Sequence, residues 1–109
     1  MSISAAEGSQ IAVIGTEHVL ATITVAGDYQ LKVDMSNMAL GDIVELRVKD
    51  KVRATGTSAE YVMKAFAHVQ DPPVVASVPI DILNEGIFTL KQVAGIGRTF
   101  NWEISQVDA

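Results

Sequence analysis

The chain contains no cysteine, and this absence excludes three kinds of site. Without thiols there is no disulfide framework, no thiolate-bound metal and no cysteine nucleophile, and the redox compartment stays open. Basic residues are also few: eight Lys and Arg stand against 13 Asp and Glu, so the formal net charge is −5. General nucleic-acid binding is therefore not expected, because such domains usually carry a basic excess that meets the phosphates.

Long hydrophobic runs are missing as well. No stretch reaches the roughly 18 consecutive apolar residues of a membrane span, and residues 1–15 lack the basic region of a secretory signal. Apolar residues nevertheless make up 49% of the 109 residues, and charged residues make up 19%. This composition is typical of one globular domain with its own core. We expect no membrane partner, and a protein that is made in a cytoplasm and stays or is assembled there.

The clearest pattern in the chain runs from residue 28 to residue 54 and consists of two alternating segments. In the first, Leu31, Val33 and Met35 share one face. In the second, five apolar residues share a face and charged residues occupy the other: Val44, Leu46, Val48, Val52 and Ala54. Successive side chains of a strand point to opposite sides, so both segments are predicted to be half-buried antiparallel strands.

The connection between these two strands, residues 36–42, is predicted to form a single helical turn. Ser36 suits the N-cap of such a turn, and Gly41 suits the left-handed position that ends it. Leu40 is expected to pack back against the core. The connection is thus interpreted as a corner between strands.

Turn signals divide the rest of the chain into short segments. Residues 1–9 are predicted to be a flexible arm, either frayed or ordered against a neighbouring subunit, and residues 10–109 to be one domain whose first strand covers residues 10–14. Residues 60–70 have a helical and a strand interpretation, of which we favour the strand. The apolar face of that strand would contain Tyr61, Met63, Ala65, Ala67 and Val69.

The last third of the chain predicts three more strands. Residues 74–83 are expected to form an edge strand, because Pro79 has no amide hydrogen for a ladder. Residues 87–93 and 99–107 are predicted to form a final hairpin, in which Phe100 and Trp102 would be the largest core side chains. With about seven or eight short strands and no convincing amphipathic helix, the fold is predicted to be all-β, an antiparallel β-sandwich or a small β-barrel.

The residues do not form a familiar catalytic constellation, so we expect no enzymatic activity, no cofactor and no metal. His18 and His68 lie fifty positions apart, outside the usual metal-ligand spacings. Asp34 and Asp42 flank the corner. We expect their carboxylates to accept hydrogen bonds from turn amides, which is a commoner role than a catalytic pair.

Basic side chains are the feature that favours a binding role. Four cations alternate along the second strand, and a fifth stands in the turn of the predicted final hairpin. These candidate protein-interaction residues are Arg47, Lys49, Lys51, Arg53 and Arg98. The four strand cations have two interpretations: a solvated face whose lysines prevent edge aggregation, or a stripe that docks on an acidic protein surface, including that of an identical neighbour, with nucleic acid as the less favoured partner.

Three segments together resemble a known group of proteins. YQLKVDMSNMALGDIVELRVKDKV, a middle strand that ends in AHVQDPP, and FTLKQVAGIGRTFNWEI are similar to small proteins encoded among the virion structural genes of tailed bacteriophages and prophages. The resemblance spans most of residues 28–104 and carries over no catalytic residue. Its matching positions are mainly turn and core residues: Asp34, Gly41, Asp42, Glu45, Leu90, Lys91, Gln92, Gly95, Gly97, Arg98 and Trp102.

The resemblance implies a structural protein of the virion, made in the host cytoplasm. Within that class we favour a head decoration (cement) protein that binds and stabilises the capsid shell. Its expected partners are the major capsid protein or other virion proteins, and further copies of itself in an oligomer such as a trimer. The alternatives are a tail, neck or baseplate component, and a carbohydrate- or host-binding β-sandwich module, which would require exposed aromatic side chains.

Overall fold

Nine antiparallel strands form two sheets in the computed structural model, which describes residues 3–51, 53, 55–57, 59–70, 73–77 and 79–107. This described part of the chain contains no helix. The strands are β1 (Ile3–Ile11), β2 (Glu17–Ile23), β3 (Gly27–Asp34), β4 (Ile43–Asp50), β5 (Ala59–Ala67), β6 (Val74–Ala76), β7 (Ile80–Ile82), β8 (Gly86–Ala94) and β9 (Thr99–Val107).

The two sheets pack face to face in one compact domain, which confirms the predicted all-β sandwich. The first sheet has the order β1-β9-β3, and β3 then pairs with both β6 and β7. The second sheet has the order β2-β8-β4-β5. Every pairing is antiparallel.

The core lies between the sheets and contains the alternating residues of β3 and β4, as the sequence predicts. Leu31 is 2% exposed, Val33 is 1% exposed, and Leu31 faces Ile104 in the register of β3 and β9. In the second sheet Val44 and Val48 are buried, and Leu46 packs against the same core. Val52 and Ala54, the last members of the predicted apolar face, lie outside the described residues.

The last two strands do not form the predicted hairpin. Strand β8 lies in the second sheet between β2 and β4, whereas β9 lies in the first sheet between β1 and β3. The residues between them therefore cross from one sheet to the other. Two strands that face each other across a core show the same alternation as two strands paired side by side, so the pattern around Phe88 and Phe100 did not distinguish the arrangements.

The predicted flexible arm differs from the structure over residues 3–9. These residues belong to β1, which pairs with β9 from Ile3 opposite Gln106 to Ile11 opposite Thr99. Most of their side chains are exposed, so the segment lacks the hydrophobic alternation of a core strand and is held by the backbone ladder. Residues 1 and 2 lie outside the described part.

Residues 59–67 form a strand as predicted, but with the opposite face toward the core. Phe66 packs against the core, because the register places it opposite buried Val44. Of the predicted apolar face, Ala65, Ala67 and Val69 are exposed, and the side chains of Tyr61 and Met63 lie outside the described part. One aromatic side chain in the buried row outweighs the small residues of the other row.

The predicted edge strand over residues 74–83 lies at an edge but is divided into β6 and β7, which raises the strand number to nine. Ala76 lies opposite Lys32 and Ile80 lies opposite Tyr29, so the chain has three residues between these two positions where β3 has two. One extra residue in an antiparallel ladder reverses which side chains face inward. Accordingly Val74 is 54% exposed, whereas Ile80 and Ile82 are buried.

Candidate functional site

The antiparallel order gathers four segments at one end of the sandwich. We call this the loop end, and it consists of residues 11–16, 35–42, 68–70 and 95–98. Backbone hydrogen bonds join the segments directly: Ala12 N donates to Arg98 O at 2.9 Å, and His68 N donates to Asp42 O at 2.8 Å. The loop end is the part of the molecule that brings together residues far apart in sequence.

The buried carboxylate of Asp42 is the centre of the loop end. Its side chain is 1% exposed. One oxygen, Oδ2, accepts hydrogen bonds from Ala39 N at 2.9 Å and from Arg98 Nε at 2.8 Å, and the other, Oδ1, accepts one from Ile96 N at 3.1 Å. This confirms that Asp42 caps turn amides, and it shows that Arg98 forms an internal ion pair.

These contacts keep Asp42 ionised. Burial alone raises the pKa of the Asp42 carboxyl, but the donors from Ala39, Arg98 and Ile96 outweigh it, so the pKa lies below its ordinary value. Both oxygens are occupied by donors that stabilise the charged form. The carboxylate therefore acts as a structural anchor and not as an accessible base.

Gln92 holds the crossing segment from the inside of the sandwich. Its side chain is buried, and Nε2 donates to Ala94 O at 3.1 Å and to Ile96 O at 2.7 Å. Its Oε1 accepts a hydrogen bond from Arg98 N at 3.0 Å. The backbone oxygen of Gln92 also accepts from Gly15 N at 2.8 Å. A buried amide with these partners makes the path of the crossing segment specific.

Two glycines allow the crossing segment to approach its neighbours. Gly95 has φ +96°, and a Cβ there would overlap the Asp42 carboxylate. A Cβ on Gly97 would lie 2.6 Å from the backbone oxygen of Ala12. The predicted hairpin turn is thus a tightly packed crossing, which explains why two glycines stand so close together.

The corner between β3 and β4 is built from two successive turns and not from one helical turn. Met38 N donates to Met35 O at 3.1 Å, and Asp42 N donates to Ala39 O at 3.0 Å. Leu40, which we expected in the core, is 84% exposed at the tip of the second turn.

Capping of the first turn comes from Asp34 rather than from Ser36. The carboxylate Oδ1 of Asp34 accepts a hydrogen bond from Ser36 N at 2.9 Å. This bond lowers the pKa of Asp34 and confirms the capping role expected of that carboxylate. The two carboxylates Asp34 and Asp42 thus cap separate turns.

His68 connects the end of β5 to this corner. Its backbone has φ +63°, and its ring Nδ1 accepts a hydrogen bond from Gly41 N at 2.9 Å. Among the described residues it is the one non-glycine residue with positive φ. The other histidine, His18, accepts a hydrogen bond from Val13 N through Nε2 at 3.0 Å. Both histidines therefore organise the loops through backbone amides.

The strand cations divide into an internally paired half and an outer half. Arg47 Nη2 lies 2.6 Å from Glu45 Oε1, and Lys49 Nζ lies 3.3 Å from Glu17 Oε2. Lys51 and Arg53 follow the end of β4, at the end of the sandwich opposite the loop end, and Arg53 is exposed. Arg47 and Lys49 are thus engaged within their own sheet.

Sequence reasoning missed Glu17 as the partner of these cations. Thr89 Oγ1 donates a hydrogen bond to Glu17 Oε2 at 2.7 Å, and Arg47 Nη1 lies 3.9 Å from Glu17 Oε1. The Thr89 hydrogen bond, with Lys49 and Arg47, lowers the pKa of Glu17 despite partial burial. Glu17 is about thirty positions from the cations, and only the order β2-β8-β4 brings it near them.

Exposed apolar side chains surround the polar centre of the loop end. Those among the large exposed hydrophobic residues are Ile11 (69%), Val13 (58%), Ile14 (42%), Leu40 (84%), Val69 (69%) and Ile96 (68%). Three of them directly precede a glycine in the sequence, at Ile14, Leu40 and Ile96. This apolar–Gly pair repeated in three turns is the sequence signal that could have identified the surface.

A shallow depression lies elsewhere, on the first sheet. It has a volume of about 300 Å³, and it is lined by Lys32, Val33, Asp34, Val74, Asn101, Trp102 and Glu103. Trp102 is only partly buried, unlike its neighbour Phe100, which is fully buried. The two side chains predicted to be the largest in the core thus occupy different environments.

Metal-binding clusters and membrane-spanning helices are both absent from the described residues. Those residues contain no group of three or more His, Asp or Glu side chains placed to hold a metal ion. They also contain no helix of the length and hydropathy needed to cross a bilayer.

Comparison with known proteins gives no match: no family model, curated protein or solved structure is significantly similar to the chain. The site is therefore interpreted from its own residues. They provide a rigid polar centre, an apolar outer surface and a separate charged sheet face.

Proposed function

We propose that the chain is a structural protein of a tailed-bacteriophage particle, most specifically a head decoration protein that binds and stabilises the capsid shell. The resemblance of residues 28–104 to small virion structural proteins supports the class. One structural observation supports an assembly role: six large apolar side chains are exposed together at the loop end. Large exposed apolar patches on soluble proteins mark protein–protein contacts, so the presence of these side chains on four segments at one end supports an assembly role.

The loop end is suited to assembly because its shape is set before any partner binds. Asp42, Gln92 and His68 hold the four segments through side-chain hydrogen bonds. A surface that is ordered in advance loses little conformational entropy on binding, so more of the hydrophobic gain appears as affinity. A small domain with one such surface is fitted to add contacts to a larger assembly.

The proposed stabilisation of a shell follows from mass action. A protein that binds only the assembled state shifts the equilibrium toward that state by an amount that grows with its concentration and affinity. Many copies on neighbouring shell subunits would add interface area at each site. Lys51 and exposed Arg53, at the end opposite the loop end, remain candidate contacts to acidic shell surface, and partly exposed Arg98, whose Nε pairs with Asp42, is a candidate contact at the loop end.

The test is a copy count in purified particles by quantitative mass spectrometry, relative to the major shell protein. A decoration protein is expected in a number close to that of the shell subunits or a simple fraction of it. A few copies to a few dozen would instead assign the chain to the tail, neck or baseplate. Its absence from particles would contradict the virion proposal.

The depression beside Trp102 supports a second candidate, a carbohydrate-binding module. A partly exposed indole next to Asp34, Asn101 and Glu103 combines an apolar surface with hydrogen-bonding groups. Titration of tryptophan fluorescence with host cell-wall oligosaccharides tests this candidate, since Trp102 is the only tryptophan in the chain. A saturable change that Asn101→Ala reduces would favour it, and no change at millimolar sugar would exclude it.

A further inference from the structure

We propose that the loop end is a self-association surface on which two copies of this chain meet end to end. This inference rests on the proposed function, which assigns the loop end to assembly, and it adds that the partner is a second copy of the chain. The surface carries six exposed apolar side chains from four segments, and its charge, rigidity and size fit a second copy.

The distribution of charge favours contact between identical copies at this end. The whole chain has a formal charge of −5, so two copies repel each other over most of their surface. The loop end contains one acidic and one basic residue, Asp42 and Arg98, and these two form an ion pair with each other. The four segments therefore carry no net charge and have the carboxylates of Asp34 and Glu17 at their borders, so two copies that meet there bring together less like charge than over the rest of the surface.

The opposite end has a different character. Asp50, Lys51, Arg53 and Glu85 lie there, together with the exposed apolar residues Val25 and Leu83. Charges of both signs on that end select a partner by electrostatic complementarity. The loop end has no net charge to select an acidic or basic partner, and no cluster of cations to attract an anionic bilayer, so it fits a second surface of its own kind.

The loop tips have the form that a two-fold contact requires. An interface between identical copies is self-complementary, with each tip of one copy contacting a different tip of the other. Ile14, Leu40 and Ile96 project from three separate turns, and each is followed by a glycine that adds no side chain beside it. Gly15 and Gly41 have open space where a Cβ would stand, so these two positions can receive apolar tips of the second copy, whereas Gly97 is packed against Ala12 O.

The size of the surface predicts the strength of the contact. Of the 21 loop-end residues, 17 are exposed or partly exposed, which is fewer than the roughly 20–30 residues that each partner contributes to an interface of standard size. Its rigidity reduces the entropic cost of binding. We expect a reversible dimer with a dissociation constant in the range of about 1–100 μM, typical of small apolar interfaces.

The test is sedimentation velocity of the full chain from a few micromolar to about one millimolar, at low and high salt. The wild-type protein is expected to shift from monomer to dimer with concentration, and high salt should favour the dimer because it screens the repulsion between anionic copies. The variant Leu40→Ser with Ile96→Ser should weaken dimerisation by at least tenfold. Leu83→Ser should leave it unchanged; Leu83 is the matched control, since it is 68% exposed like Ile96 but lies at the opposite end.

Circular dichroism and thermal unfolding establish that each variant is folded, which is expected because the substituted side chains are exposed. Three results would overturn the inference. They are a wild-type monomer at every concentration, a dimer that survives the double substitution, and an assembly of three copies, which a two-fold contact does not produce.

The sedimentation experiment and the copy count in particles test the two proposals separately. A protein that is abundant in particles but monomeric in solution and unaffected by Leu40→Ser and Ile96→Ser would overturn self-association and leave the virion role intact. A protein that dimerises through its loop end but is absent from particles would do the reverse.

Discussion

Gly95 and Asp42 touch each other across fifty-three positions of sequence: a Cβ on Gly95 would overlap the carboxylate oxygen Oδ1 of Asp42. The same oxygen accepts the hydrogen bond from Ile96 N at 3.1 Å. The crossing segment between the two sheets is thus packed directly on the buried carboxylate. The segment contacts Asp42 both through its backbone, at Gly95 and Ile96, and through the side chain of Arg98.

A first prediction compares alanine at Gly95 with alanine at Gly41. Both glycines have φ near +96°, but Gly41 has open space where a Cβ would stand. Gly41→Ala should lower the free energy of unfolding by about 1–2 kcal/mol through backbone strain alone. Gly95→Ala should cost at least about 2 kcal/mol more, because the carboxylate must also move. Urea denaturation measures both, and equal losses would contradict the direct contact.

A second prediction concerns acid stability. The pKa of Asp42 is lower in the folded chain than its ordinary value, so the unfolded state binds the proton first. The stabilisation is therefore complete above the unfolded pKa of about 4 and is lost as the pH falls through the folded pKa. Unfolding free energy should decline with falling pH in this window.

Asp42→Asn isolates this contribution from those of Glu17 and Asp34, whose pKa values are also lowered. The amide has a single acceptor oxygen for three donors, so at pH 7 the variant should be less stable by about 2–4 kcal/mol. Its unfolding free energy should also fall less steeply below pH 4. A slope identical to that of the wild type would show that Asp42 is not the titrating group.

A third prediction separates the two large aromatic residues of β9. Phe100 is fully buried, so Phe100→Ala should cost about 3–5 kcal/mol in unfolding free energy. Trp102 packs against the core but is partly exposed, so Trp102→Ala should cost less, about 2–3 kcal/mol. Chemical denaturation followed by circular dichroism gives both values. A cost for Trp102 below about 1 kcal/mol would strengthen the carbohydrate-binding candidate.

A fourth prediction distinguishes the two halves of the basic stripe. Lys49→Glu places a carboxylate beside Glu17, and it should lower stability by up to about 1 kcal/mol at low salt, with less effect at high salt. Arg53→Glu should leave unfolding unchanged, because Arg53 is exposed beyond the end of β4. If Arg53 contacts an acidic shell surface, its reversal should weaken attachment to particles. If the Arg53 variant attaches normally at all salt concentrations, Arg53 belongs to a solvated face and does not contact the shell.

Local alternation was sufficient to predict most strands and the buried rows of β3 and β4. Leu31, Val33 and Val44 are buried because their own segments alternate, and no distant residue is needed to infer it. The face of β5 was assigned incorrectly and the division of residues 74–83 into β6 and β7 was not predicted, since both depend on the register with a neighbouring strand. A single added residue near Pro79 changes that register without changing composition.

The site was predictable only in part. The capping roles of Asp34 and Asp42 follow from short polar side chains next to turns, which is a local property. The pairing of Arg98 with Asp42, and that of Lys49 with Glu17, depends on which strands are neighbours. A predicted hairpin of β8 and β9 puts both strands in one sheet, and such an arrangement does not bring either of these residue pairs together.

The position of β9 between β1 and β3 has a consequence for biosynthesis. A nascent chain that still lacks residues 99–107 already contains β1 and β3. These strands do not pair with each other, because β9 lies between them in the sheet. The second sheet has all four of its strands by residue 94 and can form while the first sheet remains open. Because closure of the first sheet requires contacts between residues as far apart as Ile3 and Gln106, we expect slow folding that is completed only once β9 is available.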